Sequence, residues 1–397
     1  MLSSLEATSK RKAEVPWTSL GLGLKGNPVA PGIAPNLVVL ECTAEKEKFL
    51  EAVAWTRIIL RDTVITEQEA AAAVERLSIR LGMMGQGPGL VRGVMVELLY
   101  PQESNLRVAG MIGQGKFLRK VKRMLMETPS YVIQRLRHLR SHLVNHSKAA
   151  VHIAGALPSN TSSPAAWSFL HPLSNTSSTP PYPTTQPTLP PPRHVVVGVP
   201  GAQTCHMEVT TPSLTSSHPS IPSLLLAVHY LRPRVTSSIR STGLAYTVTL
   251  EARRSTGQIH LSLGRATDIV TAYQVAARSV ETQVNADSWP SSALQQAKNS
   301  LMFELVGRES TVEQAVTAAV VSSITGSKEE AQLLLMAIDN LEEEEVRLVA
   351  RMVTNLFNAS LSRTSLVCDA NTLQTTIERF ANVGLHLEPF DPMAPLE

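Results

Sequence analysis

Residues 158–193 constrain most strongly how this chain can fold. The stretch is crowded with Ser, Thr and Pro and ends in Leu189-Pro190-Pro191-Pro192 before Arg193. Such a composition buries too little apolar surface to offset the entropy of ordering it, and its prolines favour extended backbone. No packed core is expected to run through it. The sequence therefore predicts two folded parts, 37–157 and 194–397, joined by a 158–193 linker and preceded by an irregular lead at 1–36. Charge divides at the same place. Residues 1–193 carry 22 Lys/Arg against 13 Asp/Glu and the remainder 14 against 20, so a net charge of +3 splits into +9 and −6. Opposite signs favour association of the two parts and say nothing about fold.

With 43% apolar residues over 397 positions the chain can bury sizeable cores, and its length suggests about two or three domains. It contains no uninterrupted apolar run of roughly 18 residues, so no membrane span is expected. The N-terminus lacks the apolar core of a secretory signal. Cys42, Cys205 and Cys368 are far apart, odd in number and without C-x-x-C spacing, which fits reduced thiols rather than a disulfide scaffold. The N-x-S/T triplets at Asn145, Asn160, Asn175 and Asn358 are what Ser/Thr abundance produces by chance. Glu6 and Glu14 in the first stretch argue against a transit peptide, so the expected setting is cytoplasmic, with mitochondrial as the alternative.

Periodicity separates the two parts. Phe49, Leu50, Val53, Ala54 and Ile58 recur at helical intervals, as do residues of 70–81, 117–126 and 131–143, so the first part is mainly helical, closing in a short strand at Val151 to Gly155. After the linker, 194–199 and 204–210 read as strands, followed by a helix over about 221–231. Residues 247–250 and 259–263 alternate as a hairpin around Ser255-Thr256-Gly257. Helices follow at 267–284, 292–305, 311–324, 331–338 and 342–357, where Glu342 to Glu345 complement a helix N-terminus. A strand at 365–368 and a helix at 373–381 complete the pattern. The expected class is α+β: αβ-roll domains with helices packed on one face of a mainly antiparallel sheet.

Four chemical signals are present and weak. Gly110-Met111-Ile112-Gly113-Gln114-Gly115-Lys116 nearly matches a phosphate loop, but Phe117 replaces the Ser/Thr that should hold Mg²⁺ and no apolar strand leads in. It reads as a turn before an amphipathic helix. Gly85, Gly87 and Gly89 read as loop. His138, His142 and His146 lie four apart on a helix, yet no Glu sits among them and Arg137 and Arg140 oppose a cation. The basic stretch Lys116 to Arg140 lacks interleaved aromatics and a nucleic-acid-binding pattern, so neither nucleic acid nor membrane is an expected partner.

Ile239-Arg240-Ser241-Thr242-Gly243-Leu244-Ala245-Tyr246 resembles the substrate-clamping segment in the C-terminal half of pitrilysin (insulinase)-type zinc metallopeptidases, nearest the presequence-protease branch and its cytosolic relatives. Val195 to Pro200, Ala272-Tyr273, Ala297 to Ser300 and Gln114 to Leu118 extend the resemblance over most of 37–157 and 194–386. It implies that Arg240 and Tyr246, with Gly243 between them at the turn, grip an extended or unfolded peptide and donate to a carbonyl as it becomes an oxyanion. It also implies a zinc site on an H-x-x-E-H helix in a complementary N-terminal half. This sequence contains no H-x-x-E-H. No catalytic residue, metal ligand or cofactor is therefore assigned to it, and it reads as a fragment-like, non-catalytic half that closes the chamber. The alternative is an inactive relative acting as an interaction or assembly subunit. Two departures stand out: Leu231-Arg232-Pro233-Arg234 replaces the usual approach to the Arg, and Thr247 replaces the usual Gly after the Tyr.

Overall fold

The computed structural model describes residues 21–26, 38–84, 87–101, 107–108, 110–145, 151, 153, 167–170, 190–214, 218–254, 256–307, 311, 314–316, 319 and 330–392. Two short strands, β1 (Gly21–Gly26) and β2 (Val38–Thr43), pair antiparallel, so the irregular lead expected at 1–36 contains a strand. Helices follow: α1 (Phe49–Arg57) passing into a π-turn at Ile58–Asp62, α2 (Glu67–Met84), α3 (Pro88–Leu99), α4 (Met111–Glu127) and α5 (Pro129–Asn145). A reciprocal capping box starts α2. The Glu69 amide donates to Thr66 Oγ1 at 3.3 Å, and the Thr66 amide donates to Glu69 Oε2 at 3.2 Å.

Helix α3 departs from the sequence reading, which took the glycines around it for a loop. Gly87, at φ +55°, caps the helix and Pro88 opens it, a position where the missing proline N–H costs no hydrogen bond. The turn expected at Gly110–Lys116 is also shorter than anticipated. Gly110 is the cap and α4 begins at Met111, so Gly113 to Lys116 are helical and form no phosphate cradle. Most of the linker, most of Val151 to Gly155, the helix expected at 311–324 and His146 lie largely or wholly outside the described residues.

The second part is built on one sheet. Its elements are β3 (His194–Val199), β4 (Cys205–Pro212), α6 (Ile221–Arg240), β5 (Ala245–Arg253), β6 (Gln258–Ala266), α7 (Ile269–Val284), α8 (Ser291–Gly307), α9 (Glu330–Asp339), α10 (Glu343–Ala350) continued by a 3₁₀ turn at Arg351–Phe357, β7 (Arg363–Asp369), α11 (Leu373–Ala381) and β8 (Glu388–Pro389). The strand order is β5-β6-β4-β7-β3-β8. β5, β6, β4 and β7 pair antiparallel in turn, and β7-β3-β8 are parallel. The fold is α+β.

Alternation along the strands decides what each face buries. Val196, Met207, Val209, Leu261, Leu263 and Leu366 join the main core with α6 and α7. Val195, Val197 and Val367, one residue out of phase, face instead a second cluster built from Leu90, Val91, Val94 and Leu98 of α3. A helix from the first part of the chain thus covers the parallel end of the sheet's other face.

Helix α6 runs nine residues beyond its expected end and passes through Pro233. A proline interrupts helical hydrogen bonding and usually ends a helix in solvent. Here burial outweighs that cost, because Leu224, Leu226, Leu231, Val235 and Ile239 are all fully buried. Local contacts brace the same turn: Arg234 NH1 donates to the Tyr230 carbonyl at 2.6 Å, and its guanidinium lies 3.6 Å from the Tyr230 ring centroid.

Candidate functional site

The extension of α6 fixes the geometry around Arg240. The helix ends with Leu244 N–H donating to the Ile239 carbonyl at 3.3 Å and Gly243 N–H donating to the Arg240 carbonyl at 3.1 Å. This is a Schellman ending, with Gly243 at the left-handed position, φ +70°. The sequence predicts a turn at Gly243 that brings Arg240 and Tyr246 together. The glycine does so as the C-terminal cap of a helix, reversing the chain directly into β5. Thr267, just past β6, locks the reversal: its amide donates to the Leu244 carbonyl at 3.0 Å and its hydroxyl to the Gly243 carbonyl at 3.2 Å.

Arg240 in the last turn of α6 and Tyr246 at the second position of β5 are both exposed, Tyr246 at 61%. The Arg240 guanidinium carbon lies 5.5 Å from the Tyr246 ring centroid, within cation–π range. The two residues singled out in the sequence are therefore neighbours on one surface.

A third residue, not foreseen, completes the cluster. The Arg265 guanidinium carbon lies 5.6 Å from the same ring. Among the described residues Arg265 is the one non-glycine with positive φ, at 51°, a region sparsely populated by side-chain-bearing residues. Its conformation follows from a register shift in β6. Cys205 of β4 pairs with Ala266 but Met207 pairs with Leu263, so the strand bulges at Gly264-Arg265. Gly264 is required there because a Cβ would run into Thr247 Oγ1 and come 3.3 Å from His206 Nδ1. The Arg265 amide faces His206 Nδ1 at 3.4 Å. Burial, reinforced by the Arg265 charge, pushes the His206 pKa below its ordinary value. A sequence signal existed, since Gly-Arg interrupts an otherwise alternating strand, but only the register shows what it does.

From this cluster a polar band runs along the antiparallel end of the sheet. Thr247 and Thr249 of β5 are exposed, whereas Glu208, Thr210, Gln258 and His260 are buried. His260 Nδ1 lies 2.8 Å from Thr210 Oγ1 and 3.5 Å from Glu208 Oε1, and its Nε2 lies 3.1 Å from Gln258 Oε1. Burial disfavours the Glu208 carboxylate, but the His260 hydrogen bond and the charges of His260, Arg253 and Arg92 outweigh it and hold the carboxyl below its ordinary range. Burial also pushes the His260 pKa down, against the pull of Glu208. Arg253 bridges Glu251 at 2.5 Å and approaches Glu208 at 3.9 Å. These groups are satisfied by one another, as buried polar groups must be.

β5 is an edge strand. One carbonyl, that of Leu250, accepts from Arg232 Nε at 3.0 Å, which shields that point against uncontrolled pairing. Among the described residues no three His, Cys, Asp or Glu side chains converge. His138 and His142 lie exposed on α5. No described helix is long and apolar enough to cross a membrane.

No protein-family model matches the sequence, and no curated relative does. Solved structures do match in fold. Pitrilysin aligns with a TM-score of 0.65 at 10% identity, over 98% of this chain and 40% of its own. A chain of Complex III2 from Candida albicans, solved with Inz-5 bound, aligns with a TM-score of 0.63 at 9% identity, over 91% of this chain and 85% of that one. The inactive domain of an M16 peptidase from Pseudomonas fluorescens aligns with a TM-score of 0.55 at 11% identity, over 91% and 83%. The chain spans less than half of pitrilysin, and its fold is the one shared by pitrilysin and the inactive M16 peptidase domain.

Proposed function

We propose that this chain is a non-catalytic pitrilysin-type half that closes a substrate chamber and binds extended peptide at Arg240 and Tyr246. The observation that carries the reading is the exposure of Arg240 and Tyr246 side by side where the glycine-capped end of α6 enters edge strand β5. An extended peptide laid along β5 gains main-chain hydrogen bonds from the strand edge. Arg240 and Tyr246 supply side-chain donors at its end. Hydrolysis would require a zinc-bearing half elsewhere in the same or another polypeptide, since this chain has no H-x-x-E-H. Placement nearest the presequence-protease branch rests on the R-x-x-G-x-x-Y spacing, and a cytoplasmic setting, with a mitochondrial alternative, rests on the N-terminal composition.

A second reading, an inactive assembly subunit, is favoured by the likeness to a chain of Complex III2. The two part on one experiment. An unfolded peptide carrying a photo-crosslinking side chain is irradiated with the full chain and the adducts are mapped. Peptide binding predicts adducts between Arg240 and Leu250 that free peptide competes away. Adducts scattered over the surface, or none, would remove the peptide reading and leave assembly.

A further inference from the structure

We propose that Arg265 and Arg240 together form a carboxylate-binding rim over Tyr246, so that the peptide taken by this site carries a carboxylate, from an acidic side chain or a free C-terminus. The inference deepens the peptide-binding reading and rests on it. Both guanidiniums approach one exposed ring, at 5.5 and 5.6 Å from its centroid, and both side chains are exposed. Among the described residues neither has an ion-pair partner. Other arginines in this part of the molecule do find carboxylates, among them Arg253 with Glu251, Arg232 with Glu304 and Arg379 with Asp268. Two like charges gathered around one aromatic ring repel each other, and a bound carboxylate would relieve that repulsion. The guanidinium fork matches a carboxylate in geometry as well as in charge.

The backbone singles out Arg265 as well. A glycine would fit its left-handed conformation without strain, yet an arginine stands there. Gly264 closes against Thr247 and His206 on one side, and the Arg265 amide faces His206 Nδ1. Strained conformations of this kind persist where surrounding structure fixes them and concentrate at binding sites. The contact also supplies a reporter, because the Arg265 charge bears on the His206 ring. A carboxylate seated on Arg265 would offset that charge and raise the His206 pKa.

The test uses the full chain and three fluorescein-labelled extended peptides of one length: a neutral sequence with an amidated C-terminus, the same with internal glutamates, and the neutral sequence with a free C-terminus. The wild type should bind one of the carboxylate peptides about tenfold more tightly than the neutral one, the worth of a charge-assisted hydrogen bond. Whichever peptide gains identifies the source of the carboxylate. Arg265→Gly should erase that preference and raise the thermal midpoint, because it relieves backbone strain. A role confined to folding would not separate the two readouts in this way. In nuclear magnetic resonance titrations, the preferred peptide should raise the His206 pKa in the wild type and not in Arg265→Gly. Equal binding of all three peptides by the wild type would overturn the carboxylate rim while leaving peptide binding intact. A preference that survives Arg265→Gly would overturn the role of Arg265, and failure of every peptide to bind would overturn both proposals.

Discussion

Ser365 Oγ donates to the Val91 carbonyl at 2.9 Å, joining strand β7 to helix α3 across 274 residues of sequence. The bond sits in a fully buried setting beside Val195, Val197 and Val367, at the border between that apolar cluster and the buried Glu208 of β4 that pairs with Ser365. Ser365→Ala should cost about 1 kcal/mol, and Val94→Ala, which empties a fully buried position on α3, about 1–3 kcal/mol. Urea unfolding measures both. A Val94→Ala midpoint equal to wild type would mean that α3 does not dock on this face in solution.

Tyr230 stacks on Trp289 with ring centroids 3.7 Å apart and planes 6° from parallel, and the Trp289 indole donates to the Gln283 carbonyl at 2.8 Å. Trp289 amide also donates to Glu343 at 2.6 Å, tying α6 and the approach to α8 to the start of α10. Trp289→Ala should therefore destabilise by about 3–5 kcal/mol, and Trp289→Phe by clearly less because the stack survives. Denaturation followed by near-ultraviolet circular dichroism would show it, and equal costs for the two variants would refute the stacking argument.

Gly243 and Gly264 separate two reasons for a glycine. Nothing lies near a Cβ added at Gly243, which needs only its left-handed φ, so Gly243→Ala should cost about 1 kcal/mol. At Gly264 the added carbon meets Thr247 Oγ1, so Gly264→Ala should cost more and be partly rescued by Thr247→Ala. Rescue of Gly243→Ala by the same second change would contradict this assignment.

Acid should destabilise the fold in two stages. Burial holds His260 and His206 below their ordinary value of 6.5, so the unfolded chain takes up protons first and stability falls as pH drops below that value. Glu208, held below 4.5, adds a contribution that is present above 4.5 and lost as pH falls through its folded pKa. Urea midpoints at pH 7.5, 5.5 and 4 should decline in that order. His260→Gln should flatten the first stage; an unchanged slope would mean that His260 does not titrate with unfolding.

The strands were legible for two reasons: Ile259 to Leu263 alternate strictly, and Val195 to Val199 form a short, β-branched apolar run. Arg240 and Tyr246 were legible as a spacing, and the resemblance gave them a role. Two features were hidden for definite reasons. Helix α6 continues through Pro233 because tertiary burial overrides local propensity, so the sequence stops it at Leu231. Arg265 joins the site through a bulge whose register depends on β4, a strand more than fifty residues away. The covering of the sheet by α3 was hidden likewise, since glycine-flanked Pro88–Leu99 carries no sign of its distant partner β7.

Peptide binding at Arg240 is the central claim, and fluorescence anisotropy with a labelled unfolded peptide tests it most directly. Saturable binding to the full chain that weakens about tenfold in Arg240→Ala, with an unchanged urea midpoint, is the expected result. Binding that is absent in the wild type, or equally tight in Arg240→Ala, would contradict the account.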